Sequence, residues 1–221
     1  MLDIQAQGAT GPSTTAVSAQ PGGRRAERRA ATKSQILEAA WAAVRSEGLA
    51  ALSMRELAAA VGMRAPSLYQ YFDSKLAIYD AMFGQGALEA LEALRTAIEG
   101  KEGVEALRES GRAMVRFATD DPVRNQLLFQ RTIPGFEPSA ASYAPAVEMV
   151  RTVEVLMARA GIGDDDALDL WTALISGVTN QQLANDPGGV RWIRLWDRAV
   201  DMFLAEVHRA PRPVPPMQQE S

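Results

Sequence analysis

The chain has 221 residues, 47% of them hydrophobic, enough to bury a substantial core as one domain or as a small domain joined to a larger one. Having no cysteine and a single histidine, His208, it can build no disulfide framework, no thiolate or multi-histidine metal site and no Cys/His pair; this fits a reducing cytoplasm and leaves carboxylate or serine chemistry open. The net charge of -4 is unevenly spread: Arg24 to Lys75 holds nine basic residues against five acidic, whereas residues 76–221 hold fourteen against twenty-one.

Residues 1–23 contain no Lys or Arg and no apolar run of signal length, and read as a disordered tail. No stretch approaches the roughly eighteen uninterrupted apolar residues of a transmembrane helix, so no membrane partner is expected. Leu37, Ala40, Trp41 and Val44 then recur at helical spacing, predicting a helix from about 27 to 47 that stops at Gly48. Arg24, Arg25, Arg28, Arg29 and Lys33 crowd its N-terminal end, against the helix dipole. A bound anion such as phosphate would relieve that opposition; the alternative is a solvated basic arm.

Ser53 and Glu56 have the spacing of a capping box and predict a short helix over about 54–61, broken by Gly62. Pro66 suits the first position of the next short helix, which carries Ser67, Leu68, Tyr69, Gln70 and Tyr71. Two short helices about a glycine turn make a helix-turn-helix. Its polar positions Arg55, Arg64, Ser67, Gln70 and Lys75 can donate hydrogen bonds, and the helix N-termini at Ser53 and Pro66 can present N–H groups to phosphate.

From Ser74 a long helix is predicted, weakened in its middle by Gly84 and Gly86, where either a hinge or close packing would explain the glycines. Further helices are predicted at about 103–119, 122–131, 141–160, 164–184 and 188–208, with "TIPGFEPSAAS" as a loop and the proline-rich end as a frayed tail. No strand pattern or repeat is present, so the fold class is all-α. Leu168, Leu170, Trp171, Leu174, Ile175, Val178 and Leu183 make the penultimate helix apolar over much of its circumference, and the last helix carries a broad stripe from Ile193 to Val207.

The stretch from Thr32 to Phe83 resembles the DNA-binding region of the TetR family of bacterial transcriptional regulators, most specifically in "LYQYFDSK", where Leu68, Tyr69, Phe72 and Lys75 match the Leu-Tyr-x-x-Phe-x-x-Lys signature. With the disordered tail at 1–23 and the flexible tail at 209–221 read from composition, the resemblance implies a three-helix DNA-binding domain at 24–75 and a helical effector-binding and dimerisation domain at 76–208. It implies that the short second helix of the motif enters the major groove, with Tyr69 and Lys75 on the backbone and Phe72 packed inward. The DNA-binding set is then Thr32, Ser53, Arg55, Arg64, Ala65, Pro66, Ser67, Tyr69, Gln70, Tyr71 and Lys75. Tyr71 can be either a phosphate contact or a packing residue, with phosphate preferred. Arg64 stands where the family often has a capping Ser or Thr; it can contact guanine or phosphate, and the cap must come from backbone or water.

Beyond Phe83, "WTALISGVTNQQLAND" resembles a TetR C-terminal subtype marked by Trp, His and Gly, with Trp171 and Gly177 present and Ser176 in place of the histidine. The resemblance implies a homodimer through the last two helices and a cavity for a small, apolar or aromatic effector. The candidate lining is Met114, Phe117, Leu128, Phe129, Tyr143, Met149, Val153 and Trp171, each of which can equally be core, with Arg116, Glu148 and Arg151 either selecting polar groups or lying on the surface. No cofactor, metal or catalytic residue is expected, and His208 is a dipole contact at a helix end. The partner implied is double-stranded operator DNA, and the function a repressor released by its effector. The alternatives are an all-helical enzyme or ligand-binding protein with a vestigial DNA-binding head, or an activator on the same fold.

Overall fold

A computed structural model describes residues 21–208, and among these it contains nine α-helices and no strand. The expected tails lie outside the described residues, except that Pro21–Gly23 already belong to the first helix. That helix, α1, spans Pro21–Glu47, and a single 3-10 turn, Leu49–Ala51, follows it. α2 (Met54–Ala60) starts under a Ser53 cap whose hydroxyl accepts from the Glu56 N–H. Gly62, at φ 70°, turns the chain into α3 (Ala65–Leu68). Leu57, Ala58, Leu68 and Phe72 meet Ile36, Ala40, Trp41 and Val44 of α1 in one buried cluster.

α4 (Lys75–Ile98) runs unbroken from its Ser74 cap. Its glycines serve close approach: a Cβ at Gly84 would lie 3.3 Å from the Ser142 Cα, and one at Gly86 3.3 Å from a Leu128 methyl. Of the two readings of Gly84 and Gly86, the structure therefore shows packing, and the helices it admits are the next layer. α5 (Gly103–Asp120), α6 (Pro122–Phe129) and α7 (Ala140–Arg159) pack against α4, α8 (Ala167–Asn185) packs on α5, and α9 (Trp196–Val207) closes the bundle against α5 and α8. Asp80 on α4 fixes the start of α7 by accepting from the Ser139 N–H and from the Ser139 and Ser142 hydroxyls.

The predicted helix 188–208 is shorter than expected. α9 begins only at Trp196, after a 3-10 turn at Ile193–Leu195. The cause is Gln182, 1% exposed on α8, whose amide oxygen accepts from the Trp192 and Ile193 N–H groups at 2.9 and 3.3 Å. Asp186 accepts from the Arg191 N–H at 2.8 Å. These side chains satisfy the backbone donors locally and hold the segment in a turn.

Candidate nucleic-acid interface and effector cavity

The helix-turn-helix presents a largely polar surface because its large aliphatic side chains and Phe72 are used inward. Leu68 and Phe72 are buried, and Ala58 gives α3 room against α2. Arg55, Arg64, Pro66, Tyr69 and Gln70 are exposed, Tyr69 by 48%, while Ala65 and Ser67 are half-buried. Arg64 occupies the cap position of α3 with extended backbone and, as its chemistry requires, no side-chain capping bond; its carbonyl accepts from the Ser67 and Leu68 N–H groups instead. Thr32 returns its hydroxyl to the Arg28 carbonyl of its own helix.

Tyr71 and Lys75 have protein partners on other elements. Tyr71 is half-buried, with the Arg29 guanidinium 4.9 Å above its ring, and Arg29 also donates to the Gln70 carbonyl at 2.6 Å. Tyr71 thus packs against Arg29 while staying partly exposed. The Lys75 ammonium donates to the Ala50 carbonyl at 2.8 Å, and the Tyr79 hydroxyl, on the next turn of α4, donates to the Leu49 carbonyl. Burial pushes the Tyr79 phenol above its ordinary range, which keeps it protonated and a donor. The 3-10 turn after α1 is therefore tied to α4 at two successive carbonyls.

A third tie joins the head to α6. Arg45 on α1 pairs with Asp121 at 2.7 Å, and Asp121 caps α6 by accepting from the Arg124 N–H at 3.0 Å. Burial alone would raise the Asp121 carboxyl, but the Arg124 N–H and the Arg45 guanidinium together hold it below its ordinary 3.8. Its folded value is the lowered one, so its contribution is complete above pH 3.8 and disappears as pH falls through the folded value. Asp121→Ala should cost about 1–2 kcal/mol by losing cap and pair together. Asp121→Asn, which still caps, should cost less, and its deficit in thermal unfolding against the parent should shrink below pH 3.8 and vanish once pH has fallen past the lowered folded value. A deficit constant from pH 7 to pH 3 would show that the ion pair contributes nothing.

Between α4, α5, α6, α7 and α8 lies a cavity of about 330 Å³. Met114, Leu128, Phe129, Tyr143, Met149, Val153 and Trp171 all line it, together with Phe83, Ala87 and Ala90 of α4. Phe117 does not: it is buried elsewhere, with the Arg124 guanidinium 3.7 Å from its ring centre. Arg116, Glu148 and Arg151 are absent from the lining as well, and Glu148 faces Arg95 at 3.4 Å. The polar wall comes from residues that periodicity did not single out, Ser110, Asn125, Gln130, Thr172, Thr179 and Asn180, and from Ser176. A helical pattern flags apolar faces, so a buried Asn or Thr leaves no signal in it.

Residues 36–82 match the family model described as bacterial regulatory proteins, tetR family. The head is thus similar to the tetR family over that stretch. Comparison with curated proteins yields no match. Among solved structures, the chain is similar to a protein of unknown function from a Rhodococcus species (21% identity, TM-score 0.69, 80% of this chain and 95% of that one). It is also similar to the TetR family transcriptional regulator PfmR from Thermus thermophilus (22% identity, TM-score 0.60, 79% and 99%). A third is the transcriptional regulator FadR from Bacillus subtilis, solved in complex with stearoyl-CoA (16% identity, TM-score 0.63, 79% and 98%). The tetR-family head thus continues into a helical body of the TetR-regulator fold. Among the described residues no helix is long and apolar enough to cross a membrane.

Proposed function

We propose that this protein is a sequence-specific DNA-binding transcriptional regulator, a homodimeric repressor released from a palindromic operator by a small, largely apolar effector. The observation that carries the reading is the exposed set Arg64, Pro66, Tyr69 and Gln70 on and immediately beside the short helix α3, anchored by buried Leu68 and Phe72. An anchored helix with an uncommitted polar face is what groove insertion requires. Ala65 and Ser67 of the helix itself, with Thr32, Ser53, Arg55, Tyr71 and Lys75 outside it, complete the proposed contact surface.

Dimerisation is supported by a groove along α8 and α9 lined by Leu174, Gly177, Val178, Leu195 and Met202, with Met202 66% exposed. A two-fold dimer would double the operator contacts. Release is supported by α4: Phe83, Ala87 and Ala90 wall the cavity, while Lys75 and Tyr79 of the same helix hold the 3-10 turn of the head. An effector that shifts α4 would change the separation of the two recognition helices from the roughly 34–36 Å between successive major grooves.

Footprinting the purified protein on genomic DNA, including the region upstream of its own gene, tests the reading. A protected palindrome is the expected result. Absence of protection over a wide salt range, with the protein folded and dimeric, would remove it and favour an all-helical ligand-binding protein or enzyme with a vestigial head.

A further inference from the structure

The cavity lining holds no Asp, Glu, Lys, Arg or His. Arg124, on the same helix as Asn125, directs its guanidinium away to Glu89 at 3.1 Å and to the Phe117 carbonyl and ring. Two lining side chains, an amide and a hydroxyl, are nevertheless buried, the hydroxyl without a partner. Asn125 on α6 is 4% exposed and lines the cavity. Thr179 on α8 is 3% exposed and its hydroxyl has no partner. The Trp171 indole N–H is unpaired as well, but it can only donate. A buried hydroxyl left unpaired is costly, and the amide of Asn125 offers one acceptor and two donors at one place.

We infer that the effector is an uncharged molecule with a compact polar head that both donates and accepts, such as a carboxamide, held by Asn125 and Thr179, with its apolar body along Met149, Val153 and Leu168. This deepens the proposed function and rests on the cavity being its effector site. The Gln130 amide donates to Asn180 at 3.3 Å, joining the α6 and α8 walls beside Thr179 and placing the polar end there. Val153 and Leu168 belong to the apolar cluster around Trp171, which sets the other end. A carboxylate or ammonium entering this lining would lose its hydration and meet no opposite charge. An acyl-CoA, the ligand class in the Bacillus subtilis FadR structure, would bring phosphates into a lining without a cation.

Calorimetric titration of the full chain with four probes sharing one apolar body tests this: 4-phenylbutanamide, 4-phenylbutanoate, 4-phenylbutylammonium and butylbenzene. The amide should bind at least about tenfold more tightly than each of the others, the margin expected of one to two buried hydrogen bonds. Asn125→Leu, which keeps the volume, should bring the amide to within about twofold of butylbenzene, and Thr179→Val should give part of that loss. If Asn125→Leu does not fold, the wild-type series and Thr179→Val decide alone. Either ion matching the amide, an amide preference that survives the variants, or no binding by any probe would overturn the inference. The footprint is read separately: a protein that protects its operator yet prefers an ion remains a regulator and loses only this effector class.

Discussion

Gly111→Ala should destabilise the protein by about 2 kcal/mol, although alanine is the better helix former by about 1 kcal/mol. An added Cβ would lie 2.6 Å from Cζ2 of Trp171 and 2.6 Å from Cη2 of Trp196, inside van der Waals contact with both rings. Neither ring has room to yield. Trp171 and Trp196 are 1% and 0% exposed and pack edge to face at 5.4 Å, and the Trp196 indole donates to the Arg108 carbonyl at 3.0 Å. Overpacking of such a site costs about 1–3 kcal/mol, and the pinned rings place this one at the top of that range, so it outweighs the helical gain. Calorimetry should show the melting temperature lower by about 4–8 °C. In a Trp196→Phe background, where part of the obstructing ring is gone, the same change should cost at least about 1 kcal/mol less. An unchanged or raised melting temperature in the single variant would mean that α8 and α9 can retreat from α5. Both helices carry the proposed dimer groove, so weakened self-association is expected alongside the lost stability.

Tyr69→Phe with Lys75→Met should abolish specific operator protection, and Lys75→Met alone should reduce the salt slope of log affinity by about one unit per half-site while weakening all sequences alike. Methionine keeps an apolar stem beside Tyr79 while removing the charge, and phenylalanine keeps the body of Tyr69 while removing only the hydroxyl. The control is necessary because Lys75 also bonds the Ala50 carbonyl. A loss of affinity with the wild-type slope would assign Lys75 to holding the head against α4 and would remove its phosphate role. A loss of slope with unchanged melting temperature would support the phosphate contact. Tyr69 is uncharged, so its replacement should lower affinity and leave the slope alone.

The helical class and the helix-turn-helix were legible from short-range chemistry. Ser53 and Ser74 accept the cap bonds their positions predict, Gly62 adopts the positive φ of the turn, and the apolar spacing of α1 matches the face it buries. Such signals depend on neighbours within a turn or two of chain, and sequence records those directly. The head motif is legible for the same reason, since its residues are close together in the chain.

The errors arise where a distant side chain decides. α9 starts late because Gln182, ten residues before Trp192, takes up backbone donors that a longer helix would have used differently. Phe117 and Met114 share α5 and both are buried, yet only Met114 reaches the cavity; Arg124, brought in from α6, covers Phe117. Asn125 and Thr179 look like ordinary polar residues in their own helices and become a paired feature only when α6 and α8 face one space. By itself the sequence determined the all-helical class, the caps and turns, and the motif of the head. The tertiary structure decided which faces of α5, α6 and α8 surround the cavity and which carbonyls Lys75 and Tyr79 reach. The physical reason is that helical periodicity gives a helix its faces, while the rotation at which each face is set comes only from packing against the other helices.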